Sequence, residues 1–143
     1  MPKFYTVKKY SLVLLIFIGV IGNAFGFQQD PVYSVFLIGD AGEPIENPVL
    51  TALKAELTKI GDKGAVIYLG DNIYPKGLPP KGHPLRAEAE KAINGQINAV
   101  KNFGGNKIFI PGNHDWAQGR SYGLEWLGIQ EEYVENALDS ADV

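Results

Sequence analysis

The sequence predicts an α/β fold, a parallel sheet assembled in the order β-α-β-α-β-α. Three observations carry that expectation. Three short apolar, β-branched runs recur along the chain, and a segment of helical periodicity follows each of them. Each run also leads directly into a polar motif containing glycine.

The first run, Val32 to Ile38 (VYSVFLI), is almost continuously apolar, as expected of a strand buried on both faces. Asn47 and Pro48 then supply an N-cap and a proline suited to the first helical position. Leu50, Leu53, Leu57 and Ile60 recur at helical spacing, and Gly61 is placed to end that helix. Ala65 to Leu69 (AVIYL) reads as a second buried strand, followed by a Pro/Gly-rich loop from Gly70 to Pro84. Leu85, Ala89, Ala92, Ile93, Ile97 and Val100 mark one face of a longer helix that closes near Gly104 and Gly105. Lys107 to Ile110 (KIFI) is a third strand, and Leu124 to Leu138 a weaker final helix. A parallel sheet with right-handed crossovers is the natural arrangement of such a series.

Composition narrows the class. The 143 residues suit one domain, and 45% hydrophobic against 20% charged residues excludes a disordered chain. Thirteen basic residues face 16 acidic ones, and no Lys/Arg cluster lies outside the extreme N-terminus, which argues against a nucleic-acid scaffold. The absence of cysteine removes disulfides, cysteine-based zinc sites and a thiol nucleophile.

The N-terminus reads as an export signal. Lys3, Lys8 and Lys9 precede an apolar run from Leu12 to Ile21, and Ala24-Phe25-Gly26 gives a small-x-small cleavage pattern. The expected signal peptide is residues 1–26, leaving 27–143 as an acidic exported protein, periplasmic or extracellular. The apolar run is far shorter than the roughly 20 residues of a spanning helix. If the signal stays uncleaved, it becomes a membrane anchor, and membrane contact is expected only through this segment. A lipoprotein anchor is excluded, because no cysteine follows the run.

The chemistry collects where strands end. Gly39-Asp40-Ala41-Gly42, Gly70-Asp71-Asn72-Ile73-Tyr74 and Gly112-Asn113-His114-Asp115 each follow a predicted strand. In an open α/β sheet the carboxyl ends of parallel strands share one edge, where ligands bind. Asp40, Asp71, Tyr74, Asn113 and His114 offer hard oxygen and imidazole donors suited to divalent or ferric ions. Any one motif alone reads equally as a turn or a cap; their succession at three strand ends points to a site.

These motifs resemble the first three of five signature blocks of calcineurin-like metallophosphoesterases, over Val32 to Trp116. They are most similar to the purple acid phosphatase branch, whose blocks read GDxG, GDxxY, GNH(D/E), VxxH and GHxH. Most of the superfamily carries Asp-x-His in the first block; this branch has glycine there and a tyrosine in the second block, as Gly42 and Tyr74 stand here. The resemblance implies that Asp40 binds one metal, that Asp71 bridges two, and that Tyr74 completes part of the first shell. Asn113 would bind the second metal and contact substrate. His114 would orient the phosphate or protonate the leaving group, with Asp115 holding its imidazole in the useful tautomer. The implied cofactors are two metal ions, Fe paired with Fe, Zn or Mn, and the tyrosinate ligand gives such proteins their colour. The implied reaction is attack of a metal-activated hydroxide on a phosphate ester, a phosphomonoester by branch or a phosphodiester in the wider superfamily.

The VxxH and GHxH blocks are absent, and the chain has only His83 and His114. Residues 27–143 are therefore expected to be the N-terminal part of a metallophosphoesterase sandwich, incomplete at its C-terminus. The missing partner is the second half of the same domain, and the chain alone is expected to be inactive, a non-catalytic metal- or phosphate-binding fragment being the other reading. Among other residues, His83 is expected to be exposed in its loop, Trp116 to pack, and Lys76, Lys81 and Arg86 to form a solvated face.

Overall fold

The computed structural model describes residues 32–43, 47–138 and 141–142, so the expected signal segment lies outside the described residues. Strand β1 (Ser34–Ile38) leads to helix α1 (Pro48–Ile60), strand β2 (Gly64–Tyr68) and helix α2 (Arg86–Val100). Strand β3 (Asn106–Phe109), helix α3 (Gly123–Ala137) and a two-residue strand β4 (Ala141–Asp142) follow. The α/β class is as the sequence predicts. Helix α1 begins as expected, with the Asn47 side chain accepting a hydrogen bond from the Val49 N–H at 2.9 Å.

The sheet order is β1-β2-β3-β4, and every pair is parallel. In register, Phe36 pairs with Val66 and Val66 with Lys107, while Ile38, Tyr68 and Phe109 align one step along the strands. This set of residues faces the helices. Val66, Tyr68 and Phe109 are buried with Leu50, Leu53 and Leu57 of α1 and with Ile93, Ile97 and Val100 of α2. Each such side chain contributes about 1.5–3 kcal/mol on burial, so α1 and α2 are held by their apolar stripes. Helix α3 joins the same layer through Tyr133, whose hydroxyl meets the Asn94 amide at 3.0 Å.

Two sequence expectations are corrected here. Strand β1 is not buried on both faces: Val35 and Leu37 are 55% and 59% exposed. The reason is topological. When the strand order advances in one direction, right-handed crossovers put every connecting helix on the same side of the sheet. Arg86 is also not part of a solvated face. It is buried, donates from Nη1 to the Pro79 carbonyl at 2.6 Å and from Nε to Glu90 at 2.8 Å, and lies over the Tyr133 ring. Its guanidinium pins the Pro/Gly-rich loop to the start of α2. No helix among the described residues is long and apolar enough to cross a membrane.

Candidate metal centre

Parallel pairing carries the strand ends into register and brings their loops together. The Leu69 N–H donates to Ile38 O at 2.8 Å, and the Ile110 N–H donates to Tyr68 O at 2.9 Å, extending the ladder one step past each strand. The chain then turns sharply at Asp40 and Asp71, both left-handed with φ of 54° and 53°. Non-glycine residues rarely adopt this conformation, and its presence at two acidic residues marks a strained, over-determined site.

The carboxylates converge on one phenol. The Tyr74 hydroxyl donates to Asp40 Oδ1 at 2.6 Å and lies 3.2 Å from Asp71 Oδ2. The other Asp71 oxygen accepts the His114 N–H at 3.0 Å, and the His114 and Tyr74 rings meet edge to face at 4.5 Å between centroids. Thus Asp40, Asp71, Tyr74 and His114 form one connected cluster drawn from three loops. Asn113 lies exposed at the tip of the third loop, where its carbonyl accepts from Gln118 N at 2.8 Å; its side chain makes none of the contacts that join the other four.

Tyr74 resists ionisation. Its hydroxyl donates to Asp40, its surroundings desolvate it in part, and the Asp71 charge adds to the effect, so the phenol is held well above its ordinary range. A cation among these oxygens would reverse that balance by favouring phenolate. The donor set fits a hard ion: two carboxylates and a phenol within one hydrogen-bond radius, with no soft ligand. Among the described residues, no three His, Cys, Asp or Glu side chains form a metal-holding group.

Asp115 has a different place from the one the resemblance implies. The group that orients His114 is the Pro75 carbonyl, 2.7 Å from Nδ1. A carbonyl only accepts, so Nδ1 carries a proton and Nε2 is the nitrogen left to exchange one. Asp115 is fully buried and turns away into the loop junction. It accepts from the N–H groups of Gly112, Asn72 and Ile73 at 2.8, 3.0 and 3.1 Å, and from the Gln130 side chain of α3. One carboxylate therefore ties the second loop, the third loop and the last helix together.

Burial holds the Asp115 carboxyl above its ordinary value of 3.8, against the lowering effect of these donors. The folded state then keeps this proton to higher pH than the unfolded chain does. Stability from this group is complete below the unfolded value and falls as pH rises through the folded one. Asp115→Asn is expected to remove that slope, although its amide meets the N–H donors less well. Urea unfolding of both proteins between about pH 3 and 7 measures the difference.

Other side chains were not legible in the sequence. Asn72 is buried and donates from Nδ2 to Ile110 O at 2.8 Å, bolting the second loop to the end of the third strand. Gln96 of α2 reaches the carbonyls of the first two loops. Gly112 abuts Asp71 so closely that any β-carbon there would overlap the Asp71 backbone nitrogen and carboxylate. His83 is partly buried rather than exposed, edge-on to Trp126 at 5.2 Å with Nδ1 accepting from Leu85 N. Trp116 is 40% exposed rather than packed. A groove of about 1020 Å³ between α1 and α2 is lined by Lys54, Lys91, Asn94 and Asn98, and contains none of the cluster residues.

No family model, curated protein or solved structure matches the chain.

Proposed function

We propose that this cluster is the metal-binding half of a phosphoester hydrolase centre, similar to that of purple acid phosphatases and acting on a phosphate monoester. The observation that carries the reading is the convergence of Asp40 and Asp71 on the Tyr74 hydroxyl at the ends of adjacent parallel strands. Asp40 and Tyr74 would hold the first ion, Asp71 would bridge to the second, and Asn113 would reach it from the third loop. When bound, a metal pair of Fe with Fe, Zn or Mn supplies an activated water and neutralises phosphate charge. The chain's own contribution is positional. Its turns aim oxygens into one volume, and the Pro75 carbonyl fixes the His114 tautomer so that Nε2 can exchange a proton with phosphate or leaving group.

The lysine-led apolar N-terminus further supports export, with residues 1–26 removed, and the resemblance supports completion of the domain by a second half carrying the histidine ligands. Four protein donors leave two coordination shells mostly open. The 143-residue chain alone is therefore expected to bind metal weakly and to hydrolyse p-nitrophenyl phosphate negligibly. Robust turnover lost in Asp71→Ala would overturn that expectation.

Ferric ion titrated into the chain is expected to produce a visible tyrosinate band, absent in Tyr74→Phe. A band of equal strength in Tyr74→Phe would remove Tyr74 from the ligand set and with it the purple acid phosphatase reading.

A further inference from the structure

We infer that Gln96 is a positioning residue that sets the separation of the Asp40 and Asp71 carboxylates. The inference rests on the reading of that pair as a cation site. Gln96 is fully buried on α2, whose other buried residues are apolar except for Arg86 in its first turn. Its Nε2 donates to Asn72 O at 2.7 Å and lies 3.4 Å from Ala41 O and equally from Ala92 O one turn back on its own helix. Ala41 and Asn72 are the residues immediately after the two left-handed aspartates. One amide nitrogen thus holds the second turn firmly and lies against the first, each at the carbonyl of the residue after the aspartate. The backbone also joins these two loops directly, from Asp40 N to Gly70 O at 3.3 Å and from Tyr74 N to Gly42 O at 3.1 Å.

The grip is itself anchored. The buried Tyr68 hydroxyl donates to the Gln96 main-chain carbonyl at 3.1 Å, tying that turn of α2 to the centre of the sheet. A methionine of similar volume would fill the position with no polar group to satisfy, whereas Gln96 Oε1 has no partner among the described residues. Packing alone therefore does not account for an amide here. Holding two ligand-bearing turns at a fixed spacing does, and groups that orient ligands in this way typically govern metal affinity.

Terbium(III), a hard cation whose emission is sensitised by a neighbouring phenol, provides the probe. Wild type is expected to show sensitised emission that Asp71→Asn abolishes. Gln96→Met is expected to weaken terbium affinity about tenfold. Ile97→Val, on the same buried face of α2, is expected to lower Tm while leaving affinity unchanged. If Gln96→Met does not fold, Gln96→Leu also leaves no donor at the position and is expected to show the same loss. Wild-type affinity in a folded Gln96 variant would overturn the inference while leaving the site reading intact. So would an equal loss of affinity in Ile97→Val, which would show that helix stability alone governs binding. No emission in wild type, or equal emission in Asp71→Asn, would overturn the site reading and the inference with it.

Discussion

Asp115→Ala is expected to destabilise the protein by about 4 kcal/mol, enough to unfold a domain of ordinary stability under mild denaturant. The carboxylate accepts three backbone N–H groups from two different loops. Removing it leaves those donors buried without acceptors, at about 1–3 kcal/mol each, offset in part by water entering the gap. The Gln130 amide of α3 loses its partner as well. Urea unfolding followed by far-UV circular dichroism measures the loss. His114→Ala, one residue away on the exposed side, is expected to cost far less. Equal losses at the two positions would mean that the junction does not depend on Asp115.

Gly42→Ala is the second large effect, with an expected cost of about 3 kcal/mol. A β-carbon there would lie 2.5 Å from Asp71 O, 2.7 Å from Ile73 N and 2.8 Å from the Asn72 carbonyl carbon. All three are backbone atoms of the second loop and cannot swing aside as a side chain could. The Gly42 carbonyl also accepts the Tyr74 N–H at 3.1 Å, so any retreat moves the phenol away from the carboxylates. Gly42→His, with a larger side chain against the same backbone atoms, is expected to be worse. Gly39→Ala is the control: nothing lies within 4 Å of its added carbon, and a change below about 0.5 kcal/mol is expected. Thermal unfolding of the three variants settles the ranking; a neutral Gly42→Ala would show that the loops are not in contact there.

The sequence made the strand-to-motif joints legible because both signals are local. A β-branched run and a glycine beside an acid can be read without knowing what lies opposite. Gln96 and Gln130 were invisible for the opposite reason. A glutamine in a helix is ordinarily a solvated residue, and only the crossing of α2 beneath two loops gives Gln96 its partners. The role that the resemblance implies for Asp115 is not the one it has here: it follows His114 in the chain, yet the turn sends one side chain outward and the other into the junction. The open face of β1 was likewise beyond local reading, since VFLI gives the same pattern whether one face or two are covered.

The left-handed backbone at Asp40 and Asp71 shapes how such a chain can drift. Glycine and asparagine sit in that conformation with less strain than a carboxylate flanked by another carboxylate. A population screened only for heat resistance would accumulate those residues at both positions. It would become sturdier as it lost its paired carboxylates. Wherever a function needs both acids, that drift is opposed at the expense of durability.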